Sequence, residues 1–265
     1  MNSKVGLRIM YCNSFPSGAG SFCFKGHYEI VVKNVAYEKS VSIWTNHASW
    51  AAISAEFEES LPGKLEKWIA PASEGQHDFA VKYFVDGKEY WDNNNSLNYK
   101  APQVMDGFSV ITGKEFPIVH GASSLINSKL RVYAAVQNLG DDKEVGLIYS
   151  TDKWETFDTL KAGYHWTMQS GIEVWLLEQS LSTNSDIEFA LFYKVNDQQF
   201  WDNNFSRNYY LPAQSISAKK AGSANAKNEM WDAPSSAKAA SAKTKKKIEP
   251  EAEKAAVESE VLSAK

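Results

Sequence analysis

Residues 90–99 read YWDNNNSLNY, and residues 200–209 read FWDNNFSRNY. Seven of the ten positions are identical. A strand that only packs a core keeps its apolar pattern while individual residues change, whereas this stretch keeps one Asp and three Asn between two aromatic residues. The repeat therefore predicts two copies of one domain, and it asks for a role of the stretch beyond packing.

The rest of the chain repeats in the same order. Matching residues lie 104 positions apart early in each copy and 110 apart later, so one net insertion of six residues lies between Trp154 and Phe189. A period of this length without an amphipathic helical pattern indicates a duplicated domain and not a solenoid of short repeats. The matching pairs are Asn34/Asn138, Lys39/Lys143, Val41/Val145, Trp50/Trp154, Phe79/Phe189, Tyr83/Tyr193 and Trp91/Trp201.

Local patterns predict strands throughout both copies. Runs of β-branched and aromatic residues alternate with turn residues, as in a β-sandwich. The pair Asp86-Gly87 suits a two-residue hairpin with positive φ, and Asn196-Asp197 holds the same place in the second copy. The expected strands are residues 28–33, 41–45, 79–85 and 88–91, and then 130–136, 187–195 and 199–201.

Composition predicts five segments along the chain. We expect an N-terminal leader over residues 1–21, a first module over 22–102, a linker over 103–125 and a second module over 126–212. Residues 213–265 are rich in Ala, Lys, Ser and Glu, a composition typical of a disordered tail.

Charge and hydrophobicity exclude several partners. The net charge is −4, and the tail holds ten Lys against seven Asp or Glu, which leaves the first 212 residues at −7. A nucleic-acid surface requires the opposite sign there. No run approaches the roughly 20 apolar residues that span a bilayer, and the N-terminus has no secretory pattern. We therefore expect no nucleic acid or membrane partner and a cytoplasmic location, with Cys12 and Cys23 reduced, although a disulfide between them stays open.

The repeated stretch has a composition suited to sugars. An indole or phenol ring offers a flat apolar face to the C–H bonds of a pyranose, and an Asn amide offers a donor and an acceptor to neighbouring hydroxyls. The alternative is turn chemistry, because Asn and Asp tolerate left-handed backbone and hydrogen-bond their own neighbours. Both interpretations apply here, and we expect some of the repeated amides to hold the loop.

These residues resemble a known family. The spacing is similar to that of the family 21 carbohydrate-binding module, the starch- and glycogen-binding domain of some fungal glucoamylases and glycogen-targeting phosphatase subunits, and to the family 53 modules of plant starch synthases. The resemblance implies two tandem immunoglobulin-like β-sandwich modules that bind α-1,4-linked glucan without cleaving it. The residues that carry it are Asn34, Tyr37, Glu38, Lys39, Val41, Trp50, Phe79, Tyr83, Tyr90, Trp91, Asp92, Asn93, Asn94, Asn98 and Tyr99.

The resemblance also implies site residues. The main sugar surface of the first module comprises Trp50, Trp91, Asp92, Asn94, Asn98 and Tyr99, with Tyr37 and Lys39 near a second surface. In the second module the matches are Trp154, Trp201, Asp202, Asn204, Asn208, Tyr209 and Lys143. The chain departs from the family at Trp44, Ile148 and Ala48, and Asp141 stands where the first module has Tyr37.

Other chemistry has little support. A glycosidase requires two carboxylates that face one bond, and each motif offers one Asp. The five His residues are not repeated between the copies, so no metal or other cofactor is indicated. We therefore expect a non-catalytic glucan-binding protein whose two surfaces act with avidity. The alternative is a regulatory adaptor that recruits a glucan-metabolising or regulatory enzyme through its tail or linker, although the basic-Val/Ile-x-Phe/Trp string that docks phosphatase is absent.

Overall fold

The computed structural model describes residues 1, 3–16, 22–47, 49–104, 107–181 and 185–213. Every helix or strand assigned in these ranges is a β-strand. No helix long and apolar enough to cross a bilayer occurs among them. The predicted disordered tail, from residue 214 onward, lies outside the described residues.

The first module consists of two five-stranded sheets. Sheet A has the order β10-β1-β2-β6-β5, and sheet B has the order β4-β3-β7-β8 with β9 also paired to β7. The strands are β1 (Val5–Pro16), β2 (Phe22–Lys33), β3 (Lys39–Thr45), β4 (Ala51–Ser54), β5 (Glu56–Leu61), β6 (Leu65–Pro71), β7 (His77–Val85), β8 (Lys88–Asp92), β9 (Tyr99–Ala101) and β10 (Gly107–Thr112).

The second module repeats this arrangement. Sheet C has the order β11-β12-β16-β15, and sheet D has the order β14-β13-β17-β18 with β19 paired to β17. The strands are β11 (Ile118–Ile126), β12 (Lys129–Val136), β13 (Lys143–Ser150), β14 (Asp158–Lys161), β15 (Gly163–Thr167), β16 (Glu173–Ser180), β17 (Ile187–Val195), β18 (Gln198–Asp202) and β19 (Tyr209–Leu211).

Each module is a β-sandwich, which confirms the predicted fold class. Tyr28 and Phe79 are fully buried between sheets A and B, and Leu130 and Phe189 are fully buried between sheets C and D. The hairpin turns also form as expected: φ is 53° at Asp86 and 67° at Gly87, and 50° at Asn196 and 58° at Asp197. These turns direct β8 and β18, and hence the repeated stretch, to one end of each sandwich.

The segments outside the two expected modules are also strands. The expected leader, residues 1–21, provides β1, which lies between β10 and β2 inside sheet A. The expected linker, residues 103–125, provides β10 and most of β11. A β-bulge at Arg8 explains why β1 escaped detection, because it shifts the inward-facing positions by one residue and breaks the period-two pattern.

The two modules pack face to face. Ile9 and Tyr11 project from the outer face of sheet A. They pack against Tyr133 and Ala135, which project from the outer face of sheet C, and together these residues form a third apolar cluster. Phe108 and Trp166 meet edge to face in this cluster, with ring centroids 5.7 Å apart. The layers therefore stack in the order B, A, C, D, and each sheet in the middle is apolar on both faces.

Gly113 directly follows β10, in the connection between sheet A and the second module. Close packing at this position requires a residue without a side chain. A Cβ at this position would stand 1.9 Å from the carbonyl oxygen of Leu7. We expect Gly113→Ala to lower the free energy of unfolding by about 2 kcal/mol or more, because the obstacle is backbone. Chemical denaturation measures this loss.

Gly163→Ala is the matched control, since a Cβ there would lie 4.0 Å from its nearest neighbour, the Leu176 carbonyl oxygen. An unchanged denaturation midpoint for Gly113→Ala would contradict the close packing described above.

Candidate functional site

The two repeated loops have one backbone shape. In the first, φ is 51° at Asn94, 55° at Asn95, 70° at Ser96 and 56° at Asn98. The matching residues of the second, Asn204, Phe205, Ser206 and Asn208, have φ of 52°, 57°, 66° and 56°. Asn adopts this left-handed region more readily than other residues with a side chain, so backbone geometry accounts for part of the repeated Asn pattern.

A buried carboxylate anchors the foot of each loop. Asp92 accepts hydrogen bonds from the Leu7 N–H at 2.8 Å and from the Tyr99 hydroxyl at 2.9 Å. Asp202 accepts the same two bonds, from the His120 N–H at 2.7 Å and the Tyr209 hydroxyl at 2.8 Å. Leu7 and His120 precede equivalent bulges in β1 and β11. Both Asp residues therefore anchor their loops, and their place on the sugar surface stays a prediction.

Two of the repeated amides hold the loop from within. Asn93 Oδ1 accepts from the Ser96 N–H at 3.0 Å, and Asn94 Nδ2 donates to the Asn98 carbonyl at 3.1 Å. The second loop repeats both bonds, at 2.9 Å and 3.1 Å. The expectation that some repeated amides hold the loop is therefore confirmed. The Asn98 side chain donates and accepts no hydrogen bond with the rest of the described chain.

The closing tyrosines pack against the core: Tyr99 is buried, and Tyr209 is partly buried. Tyr99 is 4% exposed and stacks on Phe79, with ring centroids 5.2 Å apart. Tyr209 stacks between His120 at 4.2 Å and Phe189 at 5.3 Å. Burial and the neighbouring Asp raise the pKa of both phenols, which stay protonated and donate to the carboxylate. Tyr99 also lines a groove with Asn94 and Asn98, and the role of both tyrosines at a sugar surface stays a prediction.

Aromatic rings cover the outer face of sheet B. Trp91 is 44% exposed and meets Trp44 with centroids 5.9 Å apart and an interplanar angle of 60°. The Lys82 ammonium lies 5.4 Å from the Trp44 centroid and 5.3 Å from that of Trp91. A cation in this position binds the negative ring faces and keeps the two indoles together.

Sheet D carries a related pair on its outer face. Trp201 meets Phe192 with centroids 5.9 Å apart and an interplanar angle of 59°. Phe192 occupies the register position of Lys82, and Lys194 Nζ lies 5.2 Å from its ring centroid. Phe192 is only 2% exposed, so Trp201, itself partly buried, is the ring of this pair that remains accessible.

The remaining expected tryptophans differ between the modules. Trp50 follows the end of β3 and is 51% exposed. Trp154 is half-buried, has a left-handed φ of 69°, and donates from Nε1 to Glu188 at 2.6 Å. The carboxylate of Asp152 accepts from the Thr156 hydroxyl, Thr156 N–H and Ser150 hydroxyl, which lower its pKa to about 2. The second module therefore fixes its Trp more firmly than the first.

The loop amides of the first module face the second module. Asn94 and Asn98 line a groove of about 330 Å³ together with Lys114, Gln137 and Ser170. Trp91 is not part of this lining. In the second loop, Asn204 Oδ1 accepts from Arg207 at 3.4 Å. In the first module Trp91 thus lies on the outer face of sheet B, while Asn94, Asn98 and Tyr99 line the groove.

A second groove, of about 880 Å³, surrounds Tyr37, which is 96% exposed. Phe57 and Trp68 line it and meet edge to face at 5.8 Å. Lys39 lies in its floor, where Nζ donates to Asn34 Oδ1 and to Glu66 Oε1, both at 2.7 Å. Lys39 is therefore held by protein acceptors, while Tyr37 and Phe57 offer exposed rings.

The second module keeps most of this arrangement. Lys143 donates to Asn138 at 2.9 Å and Glu173 at 2.5 Å, and Trp175 Nε1 donates to Glu173 at 2.9 Å. Tyr164, 56% exposed, meets Trp175 edge to face at 6.1 Å. With Asp141 in place of Tyr37, the second module has two of the three rings.

Sequence reasoning missed the ring pairs Phe57/Trp68 and Tyr164/Trp175. The matching residues of the two modules are each 107 positions apart: Phe57 and Tyr164, Trp68 and Trp175, and Glu66 and Glu173. The net insertion of six residues is thus made in two steps of three, which the strand registers match. An intermediate offset was the signal that could have found these residues.

Comparisons with known proteins agree with the motif. Residues 121–212 match the family model of the carbohydrate/starch-binding module, family 21. This range runs from within β11 to the end of β19. The resemblance drawn from the repeated motif is therefore confirmed, with the family match lying on the second module.

Relatives and a solved structure were also found. Glucoamylase 1 of Rhizopus oryzae is 39% identical over 83 residues, 28% of this chain and 13% of that protein. Glycogen-binding subunit 76A of Drosophila melanogaster is 32% identical over 105 residues, 38% of this chain and 15% of that protein. The starch-binding domain of Rhizopus oryzae glucoamylase, solved with β-cyclodextrin and maltoheptaose, is 31% identical with a TM-score of 0.30, covering 38% of this chain and 95% of that one. The chain thus spans a small part of these two full-length relatives.

Tyr99→Phe tests the structural role of the loop tyrosines. The change removes only the hydroxyl that donates to the buried Asp92 carboxylate, so we expect the free energy of unfolding to fall by about 1–3 kcal/mol. Tyr37→Phe is the matched control, and as an exposed change it should stay within about 0.5 kcal/mol. Equal stabilities of the two variants in denaturant titrations would contradict the anchor.

Proposed function

We propose that the chain is a non-catalytic α-glucan-binding protein with one ring surface on the outer sheet of each module. The observation that carries this function is the accessible Trp that repeats on each outer sheet, Trp91 and Trp201, each beside a second ring at a centroid distance of 5.9 Å. The family match over residues 121–212 supports it, because that family is described as a carbohydrate/starch-binding module. The name of the Drosophila melanogaster relative, a glycogen-binding subunit, points to the same class of polymer.

The ring pairs suit a helical glucan chemically. In the first module, Trp44 and Trp91 are tilted by 60° and form a curved apolar surface, and successive pyranose units of an α-1,4-linked chain turn in the same way. Stacking removes apolar surface of ring and sugar from water. Lys82, beside both indoles, supplies donors for hydroxyls at the edge of the sugar.

The groove around Tyr37 is a second sugar surface in this proposal. Tyr37, Phe57 and Trp68 supply the rings, and the Lys39–Glu66 pair fixes the floor, since Glu66 also accepts from Trp68 Nε1 at 3.2 Å. The corresponding surface of the second module binds more weakly, because Asp141 replaces the most exposed ring.

Avidity follows from the stacked modules. A shallow ring surface buries one side of a short glucan and binds weakly. Two such surfaces that engage one polymer raise the apparent affinity by roughly 10² to 10⁴ when the geometry allows both to bind. The apolar cluster between sheets A and C holds the two surfaces at a fixed separation, so long polymers gain more than short oligosaccharides.

The double change Trp91→Ala, Trp201→Ala tests the proposal. Loss of one indole face removes about 1.5 kcal/mol of stacking, roughly a tenfold loss of affinity at that surface. We expect the affinity of the two ring surfaces for maltoheptaose to fall at least tenfold by calorimetry, and the retention of the double variant in a glycogen pull-down to fall to what the groove around Tyr37 supports. Trp231→Ala, outside both modules, is the matched control and should bind like wild type. Full retention of the double variant on glycogen would rule out these surfaces.

A regulatory adaptor is the second candidate, favoured by the relative that is named a subunit. In that case the modules hold glucan while residues 213–265 recruit an enzyme. We expect the full chain, immobilised on glycogen in a cell extract, to retain an enzyme that a chain ending at residue 212 does not. If mass spectrometry finds the same retained proteins with both chains, the adaptor is excluded and the chain only binds glucan.

A further inference from the structure

A buried charge cluster joins the first module to the foot of the second loop. Arg8 protrudes from the bulge of β1 and pairs with Glu29 of the same sheet at 2.7 Å. The other guanidinium nitrogen lies 3.1 Å from the Tyr209 hydroxyl and 3.5 Å from Asp202 Oδ2. The three charged side chains are only 12%, 21% and 10% exposed, so solvent screens their attraction little.

The protonation states of the cluster favour ion pairs of Arg8 with Glu29 and Asp202 near pH 7. Burial raises the pKa of Glu29, but hydrogen bonds and charge from His27 and Arg8 outweigh it and bring the pKa down to about 2. Burial lowers the pKa of His120, stacked on Tyr209, to about 4, so this ring is neutral near pH 7. Arg8 is thus the cation that faces Asp202 in this cluster.

Among the described residues, only the second loop receives such a buried charged side chain from the neighbouring module. Gly121 occupies the bulge of β11 that corresponds to Arg8 in β1, so the second module has no equivalent side chain to offer. Asp92 of the first loop is held within its own module by Leu7 and Tyr99. The second loop therefore depends on the neighbouring module at a point where the first loop does not.

The tip of the second loop also contacts the first module. Arg207 Nη1 donates to Glu59 of β5 at 2.7 Å, whereas the first loop has Leu97 at this position, 72% exposed. The Arg8 guanidinium lies 5.7 Å from the ring centroid of Phe205, and Phe116, between β10 and β11, lies 6.3 Å from that ring.

These contacts compensate for an unfavourable backbone. Phe205 has a φ of 57°, and the first loop has Asn95 at this position with a φ of 55°. A bulky ring tolerates the left-handed region less well than Asn does. Phe205 thus holds this conformation beside Arg8 and Phe116, whereas Asn95 of the first loop accepts a hydrogen bond from Lys114 at 3.1 Å.

From this geometry we propose that Arg8 is a positioning residue for the second ring surface, and that glucan binding there requires the first module through Arg8 and the Glu59–Arg207 pair. The inference rests on the proposed function, because it concerns the site that contains Trp201. Arg8 contacts the carboxylate and phenol at the foot of the loop and leaves the sugar-facing rings free.

Two backgrounds separate the surfaces in the full-length chain. Both backgrounds carry Tyr37→Ala to remove the most exposed ring of the groove; Trp91→Ala then leaves the ring surface with Trp201 to be measured, and Trp201→Ala leaves the one with Trp91. Arg8→Met is added to each, and maltoheptaose affinity is measured by calorimetry. We expect Arg8→Met to weaken binding about tenfold in the Trp91→Ala background and less than about twofold in the Trp201→Ala background. Equal weakening in both backgrounds, or no weakening in either, would overturn the proposal.

Glu59→Ala provides a second route that removes no buried charge. In the same two backgrounds we expect a loss of about threefold restricted to the second surface. If Arg8→Met does not fold, this variant decides, and an equal or absent effect in the two backgrounds overturns the proposal. Failure of the proposed function is separately visible, because the wild-type chain itself would then not bind maltoheptaose.

Discussion

Each repeated loop depends on one buried carboxylate. Asp92 and Asp202 collect a backbone N–H from a bulged strand and a phenol hydroxyl from the residue that closes the loop. A buried carboxylate without donors is costly, so these bonds fix the loop to the strand and the closing Tyr to the core. The same anchor places the preceding Trp on the outer face of its sheet. The carboxylate with its two donors thus joins the strand bulge, the loop and the ring surface, and the same arrangement occurs in both modules.

The second constraint is the apolar contact between sheets A and C. Because both sheets bury two faces, their strands require apolar residues on both sides, as Ile9 and Tyr133 show. The contact turns two small sandwiches into a four-layer body, and it brings Arg8 within reach of the second loop. Duplication therefore did not produce two independent modules: the second uses a residue that its own bulge, at Gly121, lacks.

The sequence predicts local structure correctly where a conformation restricts which residues can adopt it. The hairpin pairs Asp86-Gly87 and Asn196-Asp197 formed as expected because positive φ restricts the choice of residue. Tyr99 was predicted at the sugar surface, and the structure stacks its ring on Phe79, since an aromatic residue that repeats is equally suited to a core or a surface. The strand β1 was hidden by its bulge, and Phe57 and Trp68 by an offset that changes within the repeat. Arg8 lies 194 residues from Asp202, a pairing that no local pattern reports.

In the proposed function, the outer rings of both modules contact glucan and the rings between the modules do not. Indole N–H signals in a two-dimensional nuclear magnetic resonance spectrum report on each of the nine Trp residues separately. On titration with maltoheptaose, we expect the signals of Trp91 and Trp201 to shift together with added sugar. Trp166, packed between the modules, should stay in place. A spectrum in which neither Trp91 nor Trp201 responds, or in which Trp166 shifts most, would exclude the outer rings as the glucan surface.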